Sequence, residues 1–562
     1  MPMNVLGITG PISWNNAAAL IKDGKLVAAV EEERFTRHKF APRVLPKNAI
    51  KYCLKAGNIT LNDVDKIAVG FDTPEAFMRK GYGIYLKHLR FYPFIKKNNY
   101  VGDPLEGVDA YFTYKREMMK LKDLFNDKDI FKKVVYIPHH TAHAASTYFA
   151  SGFQKSNIIS LDGRGEDSST LLAIGNNGKI DDFKEFSVHN SLGNLYSTFT
   201  KCLGFNPHSD EGKVMGLACY GKPTYDLKNI VKLTEEGYEF SRNWHYEITK
   251  LFGSNLRKKG DPLTKEHENL AASLQHTLEK VAVHLATVMH EKTGYKSFCL
   301  AGGVSLNCDM NSKILFKDFA DDIFIQPAAH DAGSALGAAM YVSSKLGDKP
   351  YFKMEHAYLG PEYTNDDIKE ALNECKLKAD FYKDIEGITA EKLAKGYIVG
   401  WHQGRIEFGP RALGARSILG HPGKRGMKEK INKEVKHRER WRPFAPSMLA
   451  EAMPEYVEDP YDSPFMILTF NVKEEKRKEI LEATHVDNTV RVQTVKKEIN
   501  PRYYKLIKEF EKQTSTPVLL NTSFNDNNEP IVLTPRDAIR TFMVSGMDYL
   551  AIGNYLLKKS LK

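Results

Sequence analysis

Val5-Leu6-Gly7-Ile8-Thr9-Gly10, Ala17-Ala18-Ala19-Leu20-Ile21 and Leu26-Val27-Ala28-Ala29-Val30 are three short apolar runs separated by turn chemistry. Each has the length of a strand, and Asp23-Gly24 between the second and third suits a tight hairpin. Gly7 and Gly10 put a permissive backbone at the first turn. The reading is strand, turn, strand, turn, strand. Similar β-rich runs return at Val134-Val135-Tyr136-Ile137, Ile158-Ile159-Ser160-Leu161, Phe324-Ile325-Gln326 and Val518-Leu519-Leu520. They alternate with small-residue helical patterns such as Ala144 to Ala150 and Ala332 to Ala339, which predicts an α/β protein.

A histidine cluster follows one of these runs, in Ile137-Pro138-His139-His140-Thr141-Ala142-His143-Ala144. Pro138 suits the first turn of a helix. On that helix His139 and His143, four apart, leave the same face and can grip one metal ion. His140 is three from His143 and is open to either ligation or a supporting role. Asp162 and Asp331 each stand where a strand gives way to glycine or small residues, in Leu161-Asp162-Gly163-Arg164-Gly165-Glu166 and His330-Asp331-Ala332-Gly333. Two imidazoles with two carboxylates make an N2O2 set suited to iron, zinc or manganese. Junctions of this kind are where open α/β sheets hold ligands, although helix N-capping by the two acids remains the competing role.

Leu300-Ala301-Gly302-Gly303-Val304-Ser305-Leu306-Asn307 runs a strand into paired glycines, where backbone N–H groups can approach phosphate. It matches neither the P-loop nor the dinucleotide fingerprint. In Asp210-Glu211-Gly212-Lys213-Val214-Met215-Gly216, Lys213 is open to clamping a phosphate or carbonyl, or to solvation in a turn. Glu31-Glu32-Glu33-Arg34-Phe35-Thr36-Arg37 reads as a solvated helix start. Toward the carboxy end, Arg405, Arg411, Arg416, Lys436, Arg438, Arg440, Arg442 and Arg491 gather cations around glycine-rich turns. Arginine's planar fork favours phosphate or carboxylate. Asn521, Thr522 and Ser523 offer amide and hydroxyl groups at the end of a buried strand. A single-stranded nucleic-acid groove would want aromatics interleaved with the bases, and Trp441 and Phe444 meet that only thinly.

The chain has 562 residues, enough for two or three domains. Its 42% hydrophobic and 27% charged content is that of an ordinary folded protein. The six cysteines are scattered with no CxxC pair, which predicts reduced thiols. No basic-apolar leader opens the sequence and no apolar run is long enough to span a bilayer, so the expected location is cytoplasmic with no membrane partner. A net charge of +10 suits anionic substrates without requiring nucleic acid. No internal repeat is evident. The polar stretch Ser343 to Pro350 predicts the domain boundary, dividing residues 1–345 from 351–562. Arg79 to Lys97 mixes bases with aromatics and predicts an amphipathic helical insertion.

The ordered succession of these motifs resembles the O-carbamoyltransferases of nodulation-factor and antibiotic (cephamycin- and tobramycin-type) biosynthesis. It is carried by Glu31 to Arg37, His139-His140-x-x-His143-Ala144, Asp162-Gly163-x-Gly165-Glu166, Glu211 to Ala218, Gly302-Gly303-Val304-x-Leu306-Asn307 and Asp331-x-Gly333-x-Ala335-x-Gly337. It continues through Glu407-Phe408-Gly409-Pro410-Arg411-Ala412-Leu413-Gly414-Ala415-Arg416-Ser417-Ile418-Leu419, Arg440 to Ser447 and Leu520 to Asn525, and so spans nearly the whole chain.

The resemblance implies a duplicated actin-like (ASKHA) amino-terminal domain, similar to the threonylcarbamoyl transferases, and a YrdC-like α/β carboxy-terminal domain. It implies carbamoyl-adenylate formation from carbamoyl phosphate and Mg2+-bound ATP in the second half. Transfer to a hydroxyl of a small-molecule, glycan or antibiotic-like acceptor would follow in the first. By the same resemblance His139, His143, Asp162 and Asp331 hold Fe2+ or another divalent transition metal, and Lys39, Lys213 and Asp331 serve the transfer. Arg411, Lys436, Arg442, Arg491, Asn521 and Ser523 handle carbamoyl phosphate and ATP, while Gly302, Gly303 and Asn307 line the adenylate. A tRNA-directed threonylcarbamoyl transferase and a non-catalytic nucleotide-binding protein are the alternatives, and a homodimer is an open assembly. One departure is visible: relatives carry a His-Asp pair in the first turn, where this chain reads Trp14-Asn15-Asn16. Asparagine cannot take a proton at neutral pH, so an acceptor base expected there is absent.

Overall fold

The computed structural model describes residues 3–80, 106–439 and 441–559. The insertion predicted over Arg79 to Lys97 lies almost wholly outside them. The chain forms two compact units, one of Met1–Glu32 with Phe40–Met354, the other of Glu33–Lys39 with Glu355–Lys562. The change of unit near the middle of the chain thus falls after Met354, a few residues beyond the polar stretch. The short segment Glu33–Lys39 departs from the simple two-part division.

In the first unit the three opening runs form β1 (Asn4–Ile8), β2 (Ala17–Lys22) and β3 (Lys25–Glu31), an antiparallel meander. Two further strands, β4 (Lys66–Val69) and β5 (Val134–Tyr136), join parallel to β1, giving the order β3-β2-β1-β4-β5. The same plan is built again from β6 (Lys155–Leu161), β7 (Ser168–Asn176) and β8 (Lys179–Ser187), again antiparallel neighbours. After the separate hairpin β9 (Val231–Thr234) and β10 (Gly237–Phe240), β11 (Ser297–Ala301) and β12 (Asp322–Ile325) add parallel to β6. The order is β12-β11-β6-β7-β8, the first sheet repeated. The duplication that residue patterns conceal is therefore plain in the topology.

A helix follows the fifth strand of each copy: His139–Ser151 after β5 and Ala332–Lys345 after β12. Both are almost entirely buried and rich in Ala, Gly and Ser, so their backbones approach closely. A methyl group on Gly337 would lie 1.8 Å from the Ala142 carbonyl oxygen, and one on Gly7 would lie 1.9 Å from that of Ala335. No bulkier residue fits either crossing.

The second unit is a mixed α/β body. Its strands are β13 (Asp380–Phe381), β14 (Val399–His402), β15 (Arg416–Gly420), β16 (Ala445–Leu449), β17 (Phe470–Asn471), β18 (Thr489–Val490), β19 (Gln493–Val495), β20 (Val518–Ser523), β21 (Tyr549–Ile552) and β22 (Tyr555–Lys558). Eight of them make one sheet, β13-β22-β21-β14-β15-β20-β16-β19, and β17 pairs with β18 separately. Ile398, Ile418, Phe444, Leu520, Phe524 and Leu550 pack one core on this sheet. The segment Glu33–Lys39 is anchored there: Arg34 Nη2 donates to the Gly409 carbonyl (2.8 Å), and Arg37 donates to the carbonyls of Ile531 (2.6 Å) and Pro530 (2.8 Å). The solvated reading of this charged run is corrected. Glu31, Glu32, Glu33 and Arg34 are all buried, because their charges meet partners inside the fold.

Among the described residues no helix is long and apolar enough to cross a membrane.

Candidate metal centre and cation cluster

Four groups converge in the first unit. Nitrogens of His139 and His143 and carboxylate oxygens of Asp162 and Asp331 lie within 4.8 Å of one another. The two histidines stand one turn apart at the start of a helix, Asp162 follows β6, and Asp331 precedes the equivalent helix of the second copy. The set thus joins the strand and helix ends of both repeats. His139 Nε2 is 3.1 Å from Asp162 Oδ2 and 3.8 Å from Asp331 Oδ1, and His143 Nε2 is 3.6 Å from Asp162 Oδ2. N-capping does not explain Asp331, which makes no side-chain bond to its own helix.

The surroundings fix each donor. His139 Nδ1 lies 3.1 Å from the Gly70 carbonyl, which can only accept, so Nδ1 carries the proton and a neutral ring keeps its Nε2 lone pair for the cluster. Asp162 Oδ1 accepts the Gly303 amide (3.0 Å), and Asp331 Oδ2 accepts the Trp14 amide (2.8 Å), leaving one oxygen of each carboxylate inward. Glu166 accepts the amides of Asp72 (2.8 Å) and His139 (3.1 Å), tying the helix start to the turn after β4. Phe71 packs on the His139 ring with centroids 4.7 Å apart, closing one side with apolar carbon.

The electrostatics call for a positive charge. His139 Nε2 and His143 Nε2 are 3.0 Å apart, and two lone pairs at that distance repel unless a proton or cation lies between them. Burial disfavours a charged His139, but the bond to Asp162 and the charges of Asp331, Asp162 and Glu166 outweigh it and raise its pKa to about 9. Burial and the charge of Asp162 push Asp331 above the usual carboxylate range. Asp162 is held well below that range by its histidine contacts, against the opposing effect of burial. His143 Nδ1 is buried without a hydrogen-bond partner. Two nitrogens and two carboxylate oxygens around one point fit a divalent transition metal, the borderline donor set that iron or zinc takes. His140 is not part of the set. Its Nδ1 pairs with the Ser160 hydroxyl at 3.0 Å, and burial drives its pKa down to about 3.

The other expected residues divide between support and site. Gly302 has φ +85°, and a methyl there would sit 2.1 Å from the Leu161 carbonyl oxygen, so its glycine is required by packing. Asn307 caps the helix Cys308–Leu315 and exchanges two amide bonds with Gln275. Lys213 pairs with Asp210 at 3.1 Å. Lys39 belongs to the second unit, its ammonium 3.9 Å from Glu33.

In the second unit Lys436 is buried, and its ammonium donates to Ser523 O (2.6 Å), Asn525 O (2.8 Å) and Asn525 Oδ1 (2.6 Å), with Ser523 Oγ at 3.3 Å. Burial, then the neighbouring Arg438 and Arg442, depress its pKa. Arg438 lies over the Phe444 ring at 4.5 Å and is itself depressed by burial and by Arg442 and Arg491. Arg491 Nε is buried without a hydrogen-bond partner. Lys436, Ser523, Arg442 and Arg491 are thus neighbours in one cationic cluster. Asn521 instead lies within the sheet, donating to Ala412 O (3.1 Å) and Ser447 Oγ (2.9 Å).

The motif Glu407 to Leu419 is chiefly a scaffold. Glu407 Oε1 accepts the amides of Leu413, Ala415 and Arg416, and the buried Arg416 donates to the carbonyls of Gln403, Gly404 and Ala415. Arg416 therefore leaves the anion-binding list. Arg411 lies in the loop so shaped. Sequence reasoning assigned no role to Glu166, although the Asp-Gly-x-Gly-Glu pattern displays it. The amides of Trp14 and Gly303 and the carbonyl of Gly70 leave no signal in side-chain identity.

Comparison with known proteins completes the description. The model of the carbamoyltransferase N-terminus matches residues 4–340 and that of the carbamoyltransferase C-terminus residues 390–559. The nodulation protein NolNO of Sinorhizobium fredii is 40% identical over 99% of this chain and 80% of its own. The nodulation protein NolO of Bradyrhizobium diazoefficiens is 43% identical over 75% and 78%. The 3'-hydroxymethylcephem-O-carbamoyltransferase of Amycolatopsis lactamdurans is 28% identical over 62% and 64%.

Proposed function

This chain belongs to the carbamoyltransferase family and is a carbamoyltransferase, and we propose that it is an ATP-dependent O-carbamoyltransferase working in two steps. The observation that carries the reading is the N2O2 set in one unit, accompanied by a separate cationic cluster in the other.

A carbamate carbon is a poor electrophile, so it needs a good leaving group before an alcohol can attack. In the first step water hydrolyses carbamoyl phosphate to carbamate and inorganic phosphate. The carbamate oxygen then bonds to the α-phosphorus of Mg2+-bound ATP, and the α–β phosphoanhydride bond breaks to release pyrophosphate. Arg442, Arg491 and Arg411 would bind the phosphoryl oxygens, with Lys436 and Ser523 holding the adjoining backbone in place. Lys39, in the same unit, would add to that positive field. This reading makes the second unit a YrdC-like adenylate-forming domain.

In the second step the acceptor hydroxyl oxygen attacks the carbamoyl carbon, the bond from that carbon to the AMP phosphate breaks, and the hydroxyl proton passes to the departing AMP phosphate or to water. His139, His143, Asp162 and Asp331 would hold Fe2+ or a related divalent ion, which polarises a carbonyl and stabilises developing negative charge when bound. Gly303 and Trp14 orient the two carboxylates through their amides, and Glu166 seats the histidine helix. The first unit, read as an actin-like domain, would present Lys213 and the Gly302–Gly303 turn toward the adenylate. A cytoplasmic setting suits the soluble phosphorylated substrates.

Pyrophosphate release from protein given ATP, Mg2+ and carbamoyl phosphate, with mass spectrometry of the product, tests the reading. Release that depends on carbamoyl phosphate and yields carbamoyl adenylate supports it. No release, with or without candidate alcohols, refutes it.

A further inference from the structure

The chain leaves the first unit after Glu32 and re-enters it at Phe40. Both points are tied to one buried residue, Asn16. Its carbonyl accepts the Glu32 amide (2.8 Å), and its own amide donates to the Phe40 carbonyl (3.4 Å). Its Nδ2 donates to the carbonyls of Ala41 (2.8 Å) and Ser13 (3.3 Å), and its Oδ1 accepts from the Thr9 hydroxyl (2.8 Å). The Arg43 amide adds a bond to the Ser13 carbonyl (3.2 Å). An aspartate at position 16 could not make the two side-chain donations.

Each end of this arrangement is bonded into a candidate site. In the second unit Arg34 holds the Gly409 carbonyl, two residues before Arg411, and Arg37 holds those of Pro530 and Ile531. The Pro530 loop is joined to Asn525, whose Nδ2 donates to the Glu529 carbonyl (2.6 Å) and whose oxygens accept the Lys436 ammonium. In the first unit the turn that Asn16 closes contains Trp14, whose amide donates to Asp331 Oδ2 (2.8 Å). Between the two ends, Arg37, Phe40, Ala41 and Arg43 have φ of 57°, 66°, 44° and 57°. Left-handed backbone at four non-glycine residues is unfavourable by itself and persists only while the bonds at both ends hold it. Released, the run has ordinary backbone to relax into, which makes it an element with two arrangements.

We propose that residues 33–43 are a coupling strap, through which an anion bound at the cationic cluster of the second unit raises metal affinity at the four-residue set of the first. The proposal rests on the two-step reading above and adds a regulation to it. An anion that orders the Arg411 loop and the loops around Lys436 fixes the carbonyls from which Arg34 and Arg37 hang. A fixed strap keeps the left-handed run and the Asn16 turn in place, and so keeps the Trp14 amide on Asp331. The metal then meets a carboxylate already oriented, and less freedom is lost on binding. Linkage is reciprocal, so bound metal must raise anion affinity by the same factor.

The test uses the whole protein, stripped of metal by a chelator. Co2+ is titrated in a metal-buffered solution with and without inorganic phosphate, and phosphate is titrated calorimetrically onto Co2+-free and Co2+-loaded protein. Each ligand is expected to tighten the other about fivefold or more, by equal factors, with the Co2+ visible bands unmoved by phosphate. Arg37→Gln frees the strap from Pro530 and Ile531; it should bind both ligands with the factor reduced to about one, and Asn16→Asp should do likewise. A factor of one in the unaltered protein, or no binding of either ligand, overturns the proposal. So do shifted Co2+ bands or a factor that survives in Arg37→Gln, since phosphate would then be acting on the metal directly. Where a variant does not fold, the paired factors and the bands of the unaltered protein decide. Carbamoyl adenylate formation, measured separately, decides the two-step reading whichever way the coupling falls.

Discussion

Asp162 and Glu166 are four residues apart and do different work, and substitution separates them. Asp162→Asn keeps size but removes the charge facing both histidines, so metal content measured by elemental analysis should fall to background and transfer from supplied carbamoyl adenylate should be lost. Glu166→Gln leaves the four donors intact. Glu166 Oε1 accepts both the Asp72 and the His139 amides, which a glutamine oxygen can still do. The substitution nevertheless removes the negative charge and puts an NH2 donor where Oε2 faces the His139 amide (3.3 Å). Metal affinity should therefore weaken roughly 10- to 100-fold, the range seen for outer-shell partners. A fully loaded Glu166→Gln protein with unchanged affinity would show that the helix start needs no such anchor. Arg411→Ala should act in the opposite half, abolishing carbamoyl-dependent pyrophosphate release while sparing transfer from supplied adenylate. At this scale the sequence placed His139, His143, Asp162 and Asp331 at strand and helix ends, and the fold brings their side chains together. It was read poorly where the partner is backbone, because Gly70 O and the Gly303 and Trp14 amides are invisible until the chain folds. Arg416 and Glu407 show the reverse failure: a charged motif signals an anion site until burial reveals carbonyl and amide partners within its own loop.

The helices Ala332–Lys345 and His139–Ser151 depend on missing side chains more than on present ones. A methyl group at Gly337 would meet the Ala142 carbonyl oxygen at 1.8 Å, with the Ser146 amide nitrogen at 2.7 Å. Gly337→Ala must push the helices apart, at a cost of about 1–3 kcal/mol or more, and should lower the melting temperature. Because Asp331 and His139 start these two helices, it should also reduce metal loading, whereas a surface control such as Gly212→Ala, where an added methyl meets nothing within 4 Å, should not. The helices themselves were legible from their small-residue runs and from Pro138 at one start. Their close crossing was not, since it depends on which faces meet, and that is set by strands far away in the chain.

At the scale of the first unit the four candidate ligands come from both copies of a repeated sheet plan, so an ion bound there would fasten the copies to each other. Chelation should then lower the melting temperature reversibly. An ion present at 100 times its dissociation constant contributes about 2.7 kcal/mol, which readdition of Fe2+ or Zn2+ should restore. A melting temperature indifferent to chelator would argue that the site is empty or weak in solution. The repeat leaves no trace in residue identity because strand order is fixed by hydrophobic pattern and connection length, which many sequences satisfy.

The excursion of Glu33–Lys39 bears on how such a chain can be divided. A gene cut after codon 354 would separate the two halves in the usual way, yet the downstream fragment would lack Arg34 and Arg37. The carbonyls of Gly409, Pro530 and Ile531 would then lose their donors. That fragment should be soluble only poorly and should improve when a synthetic peptide covering 33–39 is supplied. The two halves are stitched, so neither can be exchanged, shortened or inherited as a single uninterrupted cassette.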